Sequence, residues 1–496
     1  MFSAFSNCFK IPELRQRILF TLAVIVIARV GAAIPVPGVN STILGMFFES
    51  VVDQQAQGSV IGLFNLFSGG ALENCAIFSL SVMPYITASI MMQLLTAIVP
   101  SLGKLSREEG GRQKITQYSR LLTLVFCVFQ GYLLAIGFEK PESIPLLKGI
   151  QEIILREGTP LVSDSGPLFR FTTILSLTTG TMLLMWLGEQ ITDKGIGNGI
   201  SIIITVGILA QLPAALIQAW NKITAGSVVT SPLLVVALLG FLFAVIAATV
   251  AITQAIRKVT VQYAKQIRGN KIFGGQSSYL PLKLNYAGVM PVIFAQSIIL
   301  FPSTVLSIIP NMPIGIQQFI NNLTHGWMYY VLYGLMIFFF SYFWVAMVFN
   351  PVQIAEDLKK NNGAIPGVRP GEGTAMFLDH AMTRLTFAGA VFLAFIAILP
   401  LIIHHNLKIP NVTAQFFGGT SLLIVVGVVL DVMRQMETYL LQRHYDGFLK
   451  KGRIRGRSAF QATTQSRTVD DTTLVWIYAL IGILVIAGIT IALSSK

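Results

Sequence analysis

Long apolar segments, separated by short polar or basic stretches, recur along almost the whole chain. A membrane-spanning helix needs about 20 mainly apolar residues, and eleven segments approach or reach that length. The alternating segments of about ten residues that build a membrane β-barrel do not occur. The pattern therefore predicts an all-α polytopic membrane protein. The predicted spans are Ile18–Ile34, Ala76–Val99, Tyr118–Phe138, Leu168–Leu187, Ile200–Trp220, Pro232–Ala255, Ala287–Pro310, Trp327–Phe349, Leu385–His404, Phe416–Met436 and Leu474–Leu493.

The apolar run that leads into the second span is interrupted twice, at Ser68-Gly69-Gly70 and at Pro84. Glycine tolerates backbone angles that other residues avoid, whereas proline ends or kinks a helix because it removes an internal hydrogen bond. Before the glycines, apolar residues recur at helical spacing and indicate one face of a short helix. That face consists of Val60, Ile61, Phe64 and Phe67. The stretch is either a helix–turn–helix without further meaning or a moving part.

Composition also indicates a membrane protein, because only 11% of the 496 residues are charged, against about 25% in ordinary soluble proteins. The three cysteines are too few and too scattered for a disulfide framework. Basic residues before the first apolar run resemble a signal peptide, but Arg29 interrupts the run and no small-residue cleavage site follows. We therefore expect a retained first span.

The distribution of lysine and arginine orients the predicted spans. If the N-terminus lies inside, most of the 35 basic residues fall in inside loops, as the positive-inside rule requires. The net charge of +13 then mostly reflects topology. Two inside loops, residues 256–286 and 350–384, are long and basic, and loops of such length are uncommon unless they are functional or disordered. We expect these two loops to form a docking face.

Motifs for enzymatic chemistry are absent from the sequence, which has no P-loop, no HExxH and no cysteine or histidine spacing for a metal. The glycine-rich GIGNG, Gly195–Gly199, indicates a tight turn. We thus predict no enzyme, no cofactor and no metal. Arg29 and Asp431 are the clearest charges within spans, and both lie towards a span end, where snorkelling or a structural ion pair is expected. This disfavours an ion-coupled carrier, although a secondary transporter of a small solute and a membrane scaffold remain alternatives.

Several long strings resemble the SecY family, in family order, from the first span to about Gly456. They include FNLFSGGAL, MPYITASIMMQLL, MWLGEQITDKGIGNGISIII, FNPVQIAEDLKKNNGAIPGVRPGEGTAMFLD and FFGGTSLLIVVGVVLD. The resemblance implies a protein-conducting channel of the bacterial cytoplasmic membrane, which translocates unfolded secretory polypeptides and releases transmembrane segments laterally. It also implies a ten-helix core in two inverted halves, residues 1–220 and 221–456, followed here by a polar linker and an eleventh helix in residues 457–496.

The same resemblance assigns roles to particular residues. A plug of about residues 60–72 would fill the outer funnel, with Ser68-Gly69-Gly70 as its hinge. A pore ring would seal the resting channel through Val82, Ile86, Ile204, Ile293 and Ile424. A lateral gate would open between the second and third spans and the seventh and eighth, with the polar residues Thr87, Gln93, Gln296 and Ser297. Docking of SecA or the ribosome would use Arg257, Lys258, Lys271 and Arg369.

The partners that the resemblance implies are the small subunits SecE and SecG, the ATPase SecA, the ribosome, SecDF, YidC, signal sequences, nascent polypeptides and the lipid bilayer; no cofactor is implied. Two features depart from the family. The outer loop at residues 139–167 is long and carries both charge signs, and an eleventh span follows the tenth. That last helix would brace the channel, take a SecG-like position or act as a peripheral anchor.

Overall fold

The computed structural model describes residues 11–53, 65–106, 108, 110–139, 141, 150–162, 164–224, 232–263, 265–268, 271–274, 277–306, 315, 327–407, 414 and 418–452. Three predicted plug residues, Val60, Ile61 and Phe64, lie outside the described residues, as does the eleventh predicted span. The chain divides into two compact units, Phe20–Met433 and a second unit formed by Met1–Leu19 with Arg434–Lys496. In the second unit, the guanidinium of Arg17 lies 5.3 Å from the centre of the Tyr439 ring.

Fourteen helices are present in the described part of the chain, and ten of them coincide with the first ten predicted spans. Six helices are long and apolar enough to cross a membrane, and three further apolar helices are shorter. The prediction of an all-α polytopic membrane protein is confirmed. The helices are α1 Pro12–Gly31, α2 Ser41–Asp53, α3 Met83–Ile98, α4 Pro100–Leu105, α5 Gly111–Glu139, α6 Ile150–Glu157, α7 Pro167–Lys194, α8 Gly199–Thr224, α9 Pro232–Gln254, α10 Met290–Leu306, α11 Trp327–Val348, α12 Pro351–Lys360, α13 Glu372–Leu407 and α14 Gly419–Gly452.

The second predicted span, Ala76–Val99, is helical only in its later part. Residues 71–82 form turns and one bridge, in which Cys75 and Ser81 take left-handed backbone angles, φ +48° and +53°. Pro84 then lies in the first turn of α3, where a missing backbone N–H costs little because first-turn amides have no intrahelical acceptor. The expectation that Pro84 ends or kinks a helix is therefore wrong, since it starts one.

Within the unit Phe20–Met433, the helices pack in two series. In the first series α3 packs on α5, α5 on α7 and α7 on α8, and in the second series α10 packs on α11 and α11 on α13. A contact between α3 and α10 joins the two series, and one buried apolar cluster contains both Ile90 of α3 and Val292 of α10. This junction brings the first predicted half of the chain against the second.

The long connection between α5 and α7 is built around α6, which packs on α2. A buried apolar cluster that includes Ile43 of α2 and Ile150 of α6 fills the space between them. Glu139, the last residue of α5, accepts hydrogen bonds from Nε of Arg170 (2.7 Å) and from the backbone N–H of Gly166 (3.1 Å). The described part of the predicted outer loop is therefore an ordered element fixed at both ends.

The two long basic loops are joined by strands. In the described residues these are β1 Ile256–Tyr263, β2 Lys265–Arg268, β3 Lys271–Gly274, β4 Ser277–Lys283 and β5 Gly363–Ala364. β1 pairs antiparallel with β4 and, at its end, with β5, while β2 and β3 form a separate antiparallel pair. Because β1 belongs to the loop 256–286 and β5 to the loop 350–384, both loops contribute to one three-stranded sheet.

Candidate functional site

The five residues predicted to form the pore ring lie together. Val82, Ile204 and Ile424 are buried members of one apolar cluster, with exposed fractions of 0%, 5% and 2%. The half-buried side chains of Ile86 and Ile293 pack against the same cluster. Val82 immediately precedes α3, and the other four residues belong to α3, α8, α10 and α14. We call this group the ring cluster; both predicted halves of the chain contribute to it.

The predicted plug lies directly beside the ring cluster. Of residues 60–72, the structure describes 65–72, which we call the plug segment; residues 65–68 are helical and buried. The buried side chain of Phe67 belongs to the same apolar cluster as the ring residues. Its backbone carbonyl accepts a hydrogen bond from Oγ of Ser81 (3.1 Å), the residue before Val82. The plug segment and the ring are thus parts of one packed site.

Hydrogen bonds within and just after the plug segment fix its turn. The side chain of Asn65 donates to Oε2 of Glu73 (3.0 Å) and accepts from the Glu73 backbone N–H (3.1 Å). Oγ of Ser68 donates to the Asn65 carbonyl (3.1 Å). Gly69 and Gly70 take left-handed backbone angles, φ +66° and +85°. Glycine adopts these angles readily because it has no Cβ atom to clash with the backbone. The turn predicted at these glycines is present, and its action as a hinge stays a prediction.

Two side chains from surrounding helices bond the backbone of the plug segment. Nε2 of Gln211, on α8, donates to the carbonyl of Asn65 (3.1 Å). Nη1 of Arg29, on α1, donates to the carbonyl of Gly69 (3.2 Å). The segment is therefore attached to its surroundings by polar contacts as well as by the packing of Phe67.

The predicted lateral gate corresponds to the contact between α3 and α10. On α3, Ile86, Ile90 and Leu94 recur every four residues, a spacing that places them on one helix face. Ile90 is buried in an apolar cluster with residues of α10, α11 and α13, and Ile86 and Leu94 pack against that cluster. An apolar seam therefore runs along α3 where it meets the second series of helices.

The four polar residues predicted at the gate form no hydrogen bond across this seam among the described residues. Thr87 donates to a backbone carbonyl within α3, and Gln93 donates to Oγ of Ser89, also in α3. Gln296 and Ser297 of α10 are buried, and Oε1 of Gln296 and Oγ of Ser297 have no partner in the part of the chain that is described. Apolar packing closes the described seam.

Two of the predicted docking residues, Arg257 and Lys258, lie on β1 of the three-stranded sheet, and Arg369 lies in the loop that supplies β5. Arg257, Lys258 and Arg369 are exposed. Successive strand residues point to opposite faces, so the first two project from opposite sides of β1. Nζ of Lys258 lies 4.9 Å from the centre of the Tyr279 ring on β4, a cation–π contact between neighbouring strands. Lys271 lies in β3, and its side chain is outside the described part of the structure.

Arg29 and Asp431, the two charges predicted within spans, have different surroundings. Asp431 is exposed on α14. Arg29 is half-buried beside a cavity whose lining is mainly apolar and includes Ile25, Phe78 and Leu184. No carboxylate in the described residues pairs with Arg29. A structural ion pair, one of the two arrangements expected for Arg29, is therefore not found among the described residues. The hydrogen bond that the structure describes for Arg29 goes to the backbone carbonyl of Gly69.

Sequence reasoning missed Gln211 and the Asn65–Glu73 pair. A signal for Gln211 was present, because it is a polar residue inside an apolar span one helical turn after Gly207. No comparable signal marks Asn65 and Glu73, whose pairing depends on the turn between them. Polar residues in a span usually face the protein interior, and Gln211 follows that rule.

A sequence profile of the SecY family matches residues 76–433 of the chain. A protein translocase subunit SecY from Thermotoga maritima is 41% identical over 462 residues, which make up 92% of this chain and 100% of the relative. The chain belongs to the SecY family.

Solved structures agree with membership of the SecY family at the level of the fold. The match with a protein-conducting channel covers 87% of this chain and 96% of that chain, with a TM-score of 0.57 and 18% identity. A second match is with a SecY protein whose plug domain stabilises the closed state of the translocation channel and maintains a membrane seal. It covers 87% of this chain and 96% of that chain, with a TM-score of 0.54 and 19% identity. This SecY-family chain therefore shares its arrangement of helices with known channels.

Proposed function

We propose that this SecY-family protein is a protein-conducting channel of the bacterial cytoplasmic membrane. The observation that carries the proposal is that the ring cluster, five aliphatic residues from both predicted halves, packs in the same apolar cluster as Phe67 of the plug segment. The Thermotoga relative is a translocase subunit, and this likeness favours a channel over a secondary transporter of a small solute. The substrates are unfolded secretory polypeptides and membrane proteins.

The ring cluster and the plug segment seal the resting channel. An apolar constriction excludes ions because water leaves it and its side chains do not replace an ion's hydration shell. Aliphatic side chains are nevertheless flexible, so they part around a passing polypeptide and close behind it. The plug segment, packed on the ring through Phe67, adds a second barrier on the outer side. A seal of this kind needs no catalytic group and no cofactor.

The apolar seam between α3 and α10 is the lateral gate. Dispersion contacts between aliphatic side chains are individually weak, so a seam made of Ile86, Ile90 and Leu94 separates without breaking strong bonds. A signal sequence or a transmembrane segment presents an apolar helix. When the seam opens, this helix replaces the apolar contacts that α3 and α10 lose. Hydrophobic segments therefore leave sideways into the bilayer, whereas polar segments continue across the membrane.

The three-stranded sheet is the cytoplasmic docking surface. The distribution of basic residues along the sequence supports a cytoplasmic N-terminus as well. The exposed Arg257, Lys258 and Arg369 give this surface a positive charge, which favours anionic partners such as ribosomal RNA or acidic protein faces. SecA and the ribosome dock there and supply the polypeptide. SecE and SecG complete the channel within the membrane, and SecDF and YidC assist it.

Resting conductance in planar bilayers tests the proposed seal. Ile424→Asn and Ile86→Asn each place an amide in the ring cluster, so water enters the constriction more readily. We expect the resting conductance to rise severalfold or more in both variants. Val429→Asn is the matched control because Val429 lies on the same helix as Ile424 but is 48% exposed; this variant is expected to stay as tight as the unmodified protein. Ring variants that conduct no better than this control would contradict the seal.

A further inference from the structure

Arg29 holds a guanidinium against an apolar cavity between α1, the plug segment, α7 and α8. The cavity lining includes Ile25, Phe67, Phe78, Leu184 and Ile203. A charged group that leaves water needs hydrogen-bond partners in compensation, and a guanidinium offers five donors and no acceptor. Within the described part of the chain, the acceptor that Arg29 finds is the Gly69 carbonyl at 3.2 Å. The position of the plug segment therefore decides whether this charge has a fixed partner.

Gly69 presents its carbonyl to Arg29 because it has no side chain. A Cβ at this position would lie 2.7 Å from Nη2 of Arg29 and 2.7 Å from Cα of Gly207 on α8. The φ angle of +66° also disfavours any larger residue. The backbone of the plug segment thus passes between the guanidinium on α1 and a glycine on α8, in close contact with both.

Gln211 supplies a second donor from α8. It lies one helical turn after Gly207, and its Nε2 donates to the Asn65 carbonyl at 3.1 Å. Asn65 and Gly69 are four residues apart, so the bonds from Gln211 and Arg29 hold the two ends of the short helical turn of the plug segment. Both acceptors are backbone carbonyls. The two donors therefore recognise where the backbone lies and not which side chains the plug carries.

We infer that Arg29 and Gln211 are positioning residues that act together as a latch, holding the plug segment in the closed position and setting how readily the channel opens. The inference rests on the proposed function of residues 60–72 as a plug. A hydrogen bond from a charged donor is roughly twice as strong as a neutral one, so Arg29 contributes more than Gln211. When the plug leaves, water enters the cavity and solvates the guanidinium. The latch therefore biases the equilibrium towards closure without locking it.

The fraction of time that resting channels conduct in planar bilayers measures the latch. We expect Arg29→Leu to raise this fraction roughly tenfold, the effect of losing one hydrogen bond from a charged donor, and Gln211→Leu to raise it less. Arg29→Lys is expected to fall between Arg29→Leu and the unmodified protein, because lysine keeps the charge but loses the planar fork of donors. Thr205→Val on α8 is the control, since its hydroxyl donates to the Ser201 carbonyl of the same helix (2.8 Å); no change is expected.

Ile424→Asn, measured in the same membranes, separates the latch from the proposed channel. If Ile424→Asn conducts and Arg29→Leu behaves like the unmodified protein, the latch is overturned while the channel stands. If neither variant conducts, the channel function itself fails. An Arg29→Leu protein with a lower unfolding temperature but unchanged conductance also overturns the latch, because Arg29 is then only structural. Should Arg29→Leu not assemble, Gln211→Leu decides the matter: unchanged conduction in that variant overturns the latch.

Discussion

Glu139 shows how a single buried carboxylate fixes a connection at the end of two membrane helices. Its side chain is 3% exposed and pairs with Arg170, and it also accepts the backbone N–H of Gly166. Glu139 ends α5, whereas Arg170 lies in the first turn of α7. The contact therefore closes the long connection at its base. The sequence did not indicate this pair, because Glu139 begins the predicted outer loop whereas Arg170 falls in the predicted span Leu168–Leu187.

Replacing Glu139 by alanine is expected to lower the thermal unfolding temperature of the detergent-solubilised protein. The change leaves the Arg170 guanidinium and the Gly166 N–H without their acceptor. We expect only a modest drop in the unfolding temperature, because the Arg170 side chain is 40% exposed and water replaces part of the lost contact. Arg156→Ala, on the exposed face of α6 in the same connection, should leave the unfolding temperature unchanged. Equal temperatures for the two variants would show that Glu139 does not clamp the loop.

Pro84 shows what residue-level reasoning does not decide. A proline is compatible with the first turn of a helix and incompatible with its interior, so its effect depends on where the helix begins. Here residues 71–82 fold into turns held by hydrogen bonds such as that from Oγ of Ser79 to the Ala71 carbonyl (3.0 Å). Hydropathy alone counted residues 76–82 of this stretch as part of the span Ala76–Val99, because a buried turn is as apolar as a buried helix.

At the scale of elements, α3 is the helix on which the proposed seal and the proposed gate meet. Its first residues follow Val82 into the ring cluster, and its later residues form the seam with α10. The sequence predicted a helix here and a gate beside it. It suggested polar residues as the gate contacts, whereas in the described structure Ile86, Ile90 and Leu94 form the apolar side of that seam. Motion of this one helix would affect both barriers together.

An asparagine at Ile90 is expected to weaken the closed seam and relax the selection of signal sequences. A buried amide without a partner costs roughly 1–3 kcal/mol, which is comparable to the energy that holds a few apolar side chains together. Export of a secretory protein with a weakened signal sequence should rise severalfold in Ile90→Asn. Ile98→Asn, on the same helix at a residue that is 73% exposed, should export that protein no better than the unmodified channel. The gate assignment would be wrong if both variants gave the same export.

At the scale of the whole molecule, the proposed docking surface combines loops from separate parts of the chain. Residues Tyr263 and Gly363 pair across the junction of β1 and β5, although 100 positions of sequence separate them (363 − 263). A core that includes Val259, Leu282 and Leu378 lies beneath the sheet. The sheet therefore holds the two loops in fixed register, so a partner meets one surface instead of two independent loops.

Reversing one charge on this surface is expected to separate the two routes of polypeptide delivery. Arg369→Glu should reduce SecA-driven export more strongly than insertion from ribosomes, because the resemblance to the SecY family assigns this exposed arginine to SecA docking. The change leaves the membrane helices unchanged. Both routes are measured with the same reconstituted membranes. Lys194→Glu, an equal change of charge at the exposed end of α7, is the control and should leave both routes intact. Equal losses on both routes in Arg369→Glu would indicate a folding defect and contradict a docking role.

The sequence by itself determined the class of the protein, the position of most helices and the family. These properties are local, because hydropathy over about 20 residues and long motif strings do not depend on what the segment later contacts. The tertiary structure decided that Val82, Ile204 and Ile424 share one apolar cluster with Phe67. It also decided that two loops share a sheet and that Arg29 bonds a glycine carbonyl. Such contacts join residues that are far apart in the chain, and packing selects them from many arrangements that the same local pattern allows.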